Sequence, residues 1–90
     1  MKVGVIGAGT MGSGIAHAFA QTDGFEVVLT DINMDFANGG KAKIEKNLMR
    51  RVDKGKMEKS AAETILNRIT TGLRDDCKDC DLIIEAAIEN

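Results

Sequence analysis

At 90 residues the chain has room for one small domain, and 43% hydrophobic with 29% charged residues is the mix of a globular fold rather than a disordered segment. A net charge of −2 gives no field to draw nucleic acid or an anionic membrane, and three Phe with no Trp or Tyr offer no platform for stacking bases. No apolar run approaches the ~18–20 residues of a membrane span, residues 1–20 lack the pattern of an export signal, and two cysteines do not make a disulfide scaffold, so a cytoplasmic location is expected.

The predicted elements alternate. Val3 to Ile6 is a short apolar run that reads as a buried strand. Thr10 to about Thr22 reads as a helix, with Met11, Ile15, Ala18, Phe19 and Thr22 at the spacing of one apolar stripe. Asp23-Gly24 breaks it, and Phe25 to Thr30 is dense in β-branched and apolar residues, as a central parallel strand is. A second helix runs from Asp35 to about Asp53 on Phe36, Gly40, Ile44, Leu48 and Val52, and Lys54-Gly55-Lys56 stops it. A shorter helix follows from Lys59 or Ser60 to Arg68, facing inward on Ala62, Ile65 or Leu66, and Ile69. Ile69 to Leu73 is a weaker strand, Asp75 to Cys80 a polar turn or single helical turn, and Asp81 to Ala87 a third clear strand. The order β-α-β-α-α-β-β predicts an α/β fold with a parallel, Rossmann-type sheet that is incomplete, and a two-helix excursion after its second strand. Because a strand is followed almost at once by the last residue, Asn90, residues 1–90 are expected to be the N-terminal part of a longer dinucleotide-binding domain.

Gly7, Gly9 and Gly12 form G-x-G-x-x-G. The triplet alone is weak, but it follows a strand, opens a helix, and precedes a second strand that ends in Asp31, about 20 residues on, which together make the dinucleotide fingerprint. Gly7 permits the tight turn, Gly9 lets a pyrophosphate approach the backbone, and Gly12 lets helix and strand pack closely. The helix N-terminus offers free N–H groups, those of Thr10 and Met11 among them, to the phosphates. Asp31 is the acceptor for the adenosine ribose hydroxyls. Its carboxylate repels a 2′-phosphate and no Arg or Lys directly follows, which favours NAD over NADP. Gly14 reads as a packing glycine.

The segment "GAGTMGSGIAHAFA" (Gly7 to Ala20), the strand-end Asp31, the basic helix pair, and "CDLIIEAAIEN" (Cys80 to Asn90) together resemble the N-terminus of NAD-dependent 3-hydroxyacyl-CoA dehydrogenases, those acting on 3-hydroxybutyryl-CoA in particular. The resemblance covers essentially the whole chain, and G-A-G-T-M-G and E-A-A-I-E-N are its most specific parts. It implies that Gly7, Ala8, Gly9, Thr10, Met11 and Gly12 hold the pyrophosphate of NAD and that Asp31 holds its adenosine ribose. It also implies that the loop at Ala87 passes the nicotinamide ribose and that Glu89 contacts the cofactor, while Glu85 is structural. Lys54 matches a family lysine that reaches the phosphates of a coenzyme A thioester substrate. Asn47 stands where the family has a serine, a departure at that contact. The resemblance further implies a full-length homo-oligomer whose catalytic His–Glu pair, assisting Ser and Asn, and C-terminal helical domain all lie beyond position 90. On this reading the chain itself holds no catalytic residue.

Two other readings stay open on sequence. One is the cofactor-binding part of another hydroxy-acid dehydrogenase, of the 3-hydroxyisobutyrate type; the other is a non-catalytic nucleotide-binding module. Three further features carry less. Lys41, Lys43, Lys46, Arg50, Arg51, Lys54 and Lys56 crowd the second helix and its end, opposed by Glu45 and Asp53, and read either as a solvated face or as an anion site. Cys77-Lys78-Asp79-Cys80 is one C-x-x-C pair, too few ligands for structural zinc, in acidic surroundings that raise thiol pKa. His17 lies in the first helix with no carboxylate near it in sequence and reads as a packed or partly exposed helix residue rather than a catalytic one.

Overall fold

A computed structural model describes residues 1–86. Its elements are β1 (Lys2–Ile6), α1 (Thr10–Ala20), β2 (Glu26–Asp31), α2 (Met34–Asp53), α3 (Lys59–Asn67), β3 (Ile69–Leu73), a 3-10 turn (Arg74–Cys77) and β4 (Leu82–Glu85). Among the described residues the four strands form one sheet in the order β3-β2-β1-β4, with every pairing parallel. Register is fixed by Val5 opposite both Leu29 and Ile84, and by Leu29 opposite Thr71. The chain therefore lays β2 and β3 on one side of β1, then crosses to place β4 on the other. That reversal leaves a crevice at the carboxyl ends of β1 and β4, the place where open parallel sheets bind ligands.

The core explains the helix faces. Val3, Val5, Val27, Leu29, Ile44, Leu48 and Ile69 are essentially sealed from solvent. The predicted stripe of α1 is displaced: the residues it buries are Gly12, Ser13, Ala16 and Ala20, while Met11 and Ala18 are exposed and Ile15 and Phe19 half-buried. Small residues win this face because α1 lies close against β1 and β2, where a larger side chain would hold it off. In α2 the buried set is Ala37, Gly40, Ile44 and Leu48, and Phe36 turns outward. In α3, Ala62, Ile65 and Leu66 face inward.

The ends of the helices are specified locally. Asn33 caps α2 by accepting the Phe36 N–H at 2.9 Å. Arg68 donates to the carbonyl of Ala20 (2.9 Å), at the C-terminus of α1, and pairs with Asp23 (2.6 Å), a cation where the helix dipole favours one. The Lys41 ammonium donates to the carbonyl of Ile69 (2.8 Å), tying α2 to the start of β3.

Candidate functional site

The glycine loop joins β1 to α1. Gly7 has φ +105°, a conformation that L side chains rarely adopt, and its N–H donates to the Thr30 carbonyl at 2.8 Å, holding the turn against β2. A Cβ on Gly12 would stand 1.6 Å from the Gly7 carbonyl oxygen, so the first turn of α1 rests directly on the loop. A Cβ on Gly9 would meet nothing within 4 Å, which leaves the outer face of the loop open. From below, Gly40 of α2 supports it: a Cβ there would lie 2.8 Å from both the Cβ and the carbonyl oxygen of Ala8.

Hydrogen bonds lock this shape. Asp31 accepts the Ala8 N–H on Oδ2 and the Ile32 N–H on Oδ1, each at 2.7 Å. Buried Ser13 donates from Oγ to the Ala8 carbonyl (3.1 Å) and from its N–H to the Gly9 carbonyl (2.9 Å). That last bond is the first of the helical ladder, so the N–H groups of Thr10, Met11 and Gly12 precede it and have no helical partner. Gly9 is the N-cap, no side chain caps the helix, and no acid stands in its first turn. The end of α1 thus presents unclaimed donors and the positive end of a dipole to the open side of the loop. These features fit a dinucleotide: donors for a pyrophosphate, room for it over Gly9, and an oriented carboxylate with lone pairs left for ribose hydroxyls.

Two adjoining cavities share Gly7, Asp31 and Ile32. One, of about 310 Å³, lies over the strand ends and is closed by Leu73, Arg74, Asp75 and Glu85. The other, of about 360 Å³, runs along the loop past Gly9, Met11, Phe36 and Ala86. Ile32 is 82% exposed, Met11 57% and Phe36 55%, so a set of apolar side chains rims the crevice without a partner among the described residues. Such a rim suits the flat faces of a base and ribose.

The predicted residues Gly7, Ala8, Gly9, Thr10, Met11, Gly12 and Asp31 come together here. Ala8 plays a different part from its neighbours: its N–H and carbonyl are both engaged within the protein, so it shapes the loop and offers no backbone group outward. Ala87 and Glu89 lie outside the described residues. Gly14 does not pack as expected; it is exposed, and a Cβ there would meet nothing within 4 Å. Sequence reading missed three contributors, Ser13, Arg74 and the support from Gly40. Ser13 was masked by its small size in a helix read for large apolar residues. Arg74 is brought in by the crossing of the chain from β3 to β4, which no local spacing announces.

A third cavity, of about 350 Å³, opens between α1 and the end of α2, lined by His17, Asn47, Arg50, Arg51, Lys54 and Lys56. It brings Lys54 and Asn47 together and adds three further cations. Lys41 is not among them, being spent on the Ile69 carbonyl. His17 is half-buried, and its Nε2 is sealed from solvent without a partner among the described residues. Burial, and secondarily the charge of Arg51, holds its imidazole below the ordinary value.

The cysteines pack behind the sheet. Cys77 is buried, and both sulfurs sit against Gly4, where a Cβ would lie 2.7 Å from the Cys77 Sγ and 3.0 Å from the Cys80 Sγ. The Cys80 thiol is pushed up, first by burial and then by Cys77; the acidic neighbourhood, represented by Asp81, is the least of the causes.

A parallel sheet ordered β3-β2-β1-β4, a glycine turn opening a helix at its reversal point, and an acid at the end of β2 define a dinucleotide-binding domain of the Rossmann class. Comparison with known families narrows this. Residues 2–90 match the family described as 3-hydroxyacyl-CoA dehydrogenase, NAD binding domain, and the chain belongs to that family. It is 52% identical over its whole length to a protein of Deinococcus radiodurans named a probable 3-hydroxybutyryl-CoA dehydrogenase, covering 32% of that relative. It is 49% identical, over 98% of its length, to the 3-hydroxybutyryl-CoA dehydrogenase of Bradyrhizobium diazoefficiens, covering 30% of it. Among solved structures, (S)-3-hydroxybutyryl-CoA dehydrogenase from Ralstonia eutropha superposes with a TM-score of 0.89 at 41% identity, over 99% of this chain and 31% of that one. The chain therefore spans about a third of the length of these relatives.

Proposed function

We propose that this chain is the cofactor-holding N-terminal part of an NAD-dependent oxidoreductase that interconverts (3S)-3-hydroxyacyl-CoA and 3-ketoacyl-CoA. The observation that carries the reading is the pairing of an uncapped α1 N-terminus with Asp31, whose carboxylate is oriented by two backbone N–H groups at 2.7 Å. The N–H groups of Thr10, Met11 and Gly12 take the pyrophosphate, and Gly7 and Gly9 keep the backbone low enough for it to approach. Asp31 accepts the adenosine ribose hydroxyls on the lone pairs its backbone donors leave free. Ile32 and Leu73 flank the base. NAD, when bound, supplies the hydride acceptor or donor, and this part of the protein positions it.

Ala87 and Glu89 are assigned to the nicotinamide side on the family resemblance. Lys54 is assigned to a phosphate of the coenzyme A thioester, and its neighbours Arg50, Arg51 and Lys56 strengthen the field it acts in. The catalytic groups and a homo-oligomeric full-length protein belong to the same reading and rest on the family alone, and a cytoplasmic location accords with it.

The test is a titration of NADH into the full-length protein and its Asp31→Ala variant. Charge-assisted hydrogen bonds to two hydroxyls predict a loss of affinity of about tenfold or more. An unchanged dissociation constant would remove Asp31 from the ribose and the reading with it.

A further inference from the structure

Asp31 is not the only charged group at the cofactor crevice. The cavity of about 310 Å³ over the strand ends also holds Arg74, Asp75 and Glu85. Arg74 is the first residue of the 3-10 turn after β3, and Glu85 is the last of β4, the opposite edge of the described sheet. The Arg74 guanidinium donates to Glu85 Oε2 at 3.0 Å, so the pair bridges the crevice from one edge strand to the other.

Both backbones are held in place. The Leu73 N–H donates to Asp76 Oδ2 (2.8 Å), which fixes the turn, and buried Cys77 anchors its far end. Glu85 pairs in register with Ile6, and the Ala86 N–H donates to the Ile6 carbonyl at 2.8 Å. The two side chains, by contrast, are 69% and 54% exposed. An ion pair this exposed adds little to stability. What it does is occupy a guanidinium that stands in the same cavity as Asp31.

A guanidinium is the side chain best shaped to take a phosphate in two parallel hydrogen bonds. Left free at this position, Arg74 would offer a partner to a 2′-phosphate on the adenosine ribose, against the repulsion from Asp31. We propose that Glu85 withholds it: the Arg74–Glu85 pair is a second selectivity element, beside Asp31, that turns away dinucleotides bearing a 2′-phosphate. With the pair closed, an incoming 2′-phosphate meets the carboxylates of Asp31, Asp75 and Glu85 and a cation already neutralised. Discrimination here works by denying the wrong ligand its partner as well as by repelling it.

The inference rests on the cofactor reading given above, and the experiment separates the two. Dissociation constants for NADH and NADPH are measured by fluorescence titration on the full-length protein, its Glu85→Gln variant, and the Arg74→Ala/Glu85→Gln double variant. Glu85→Gln is expected to shift the ratio of the two constants toward NADPH by about fivefold at low ionic strength, a shift that shrinks in about 0.5 M salt. Removing Arg74 as well returns the ratio to near its wild-type value. A ratio unmoved by Glu85→Gln overturns the gate, as does a shift that survives the loss of Arg74, which would make Glu85 a mere repulsive charge. If the wild-type protein binds no NADH, the cofactor reading fails first, and the gate goes with it.

Discussion

Gly9 and Gly12 stand three positions apart in the same motif, yet they answer to different neighbours. At Gly12 an added methyl would stand 1.6 Å from the Gly7 carbonyl oxygen, so Gly12→Ala has to lever α1 away from the loop. Overpacking of that kind costs about 1–3 kcal/mol, and a lower urea midpoint together with lost NADH binding is the expected outcome. At Gly9 a methyl would meet nothing within 4 Å, so Gly9→Ala folds, losing no more than about 1 kcal/mol for a poorer N-cap. NADH affinity should still collapse if the proposed reading is right, because the methyl fills the space it assigns to the pyrophosphate. The two variants together separate the glycine that packs from the glycine that admits a ligand. A Gly9→Ala protein with wild-type affinity would mean that the phosphates lie elsewhere. Sequence spacing alone was enough to place both residues and Asp31 at one loop, because the motif is local and its mechanics are the same wherever it occurs. It did not find Ser13, whose bonds to Ala8 and Gly9 depend on how tightly the turn closes.

The contact between α1 and α2 shows what periodicity reads well and what it misses. The faces of α2 and α3 were largely legible, since Ile44, Leu48, Ala62 and Ile65 mark an inward stripe; the exception is Phe36, read into the α2 stripe but exposed, with Ala37 buried instead. The face of α1 was not, because helix and sheet approach too closely for the large residues, and Ala16 and Ala20 take the core instead. On the side of α1 that faces the end of α2, the Nε2 of His17 is sealed from solvent, and Arg50, Arg51, Lys54 and Lys56 line the same cavity. Burial and Arg51 both favour the neutral imidazole, so the folded pKa lies below the ordinary 6.5. Above that value both folded and unfolded states carry a neutral ring, and the group adds no pH dependence. As pH falls through 6.5 toward the folded value, the unfolded state takes up the proton first and stability is lost. Replacing His17 with Gln removes this part of the slope. Urea midpoints at about pH 7.5 and about pH 5.5 should therefore differ less in His17→Gln than in the wild type. An equal fall in both would show that other groups carry the acid sensitivity.

Across the whole molecule, the strand-end crevice and the cationic pocket differ in chemistry and share no lining residue. The strand alternation foretold the parallel sheet, and the fingerprint foretold that the glycine turn and Asp31 meet at the carboxyl end of its strands. The return of the chain across that end, which sets Arg74 against Glu85, is a long-range event that local patterns do not encode. The cationic pocket between α1 and α2 was visible only as a charge run, and folding decides its membership by diverting Lys41 to β3 and gathering Arg50, Arg51, Lys54 and Lys56 with His17. Its separation from the crevice makes a clean kinetic prediction in the full-length protein. If Lys54 meets a coenzyme A phosphate, that contact is present equally in the bound substrate and in the transition state. Lys54→Ala should then raise KM for an acyl-CoA by about threefold to tenfold and leave kcat nearly as it was, the signature of uniform binding. The KM for NAD, which the proposed reading assigns to the other end of α1, should scarcely move. Repeating the comparison with an acyl-pantetheine thioester, which lacks the nucleotide phosphates, supplies the decisive control. Wild type and variant should use it equally well, because the group that Lys54 holds is gone from the substrate. A Lys54→Ala defect that persists with acyl-pantetheine would instead mean that the lysine supports the fold of the α2 end rather than the substrate.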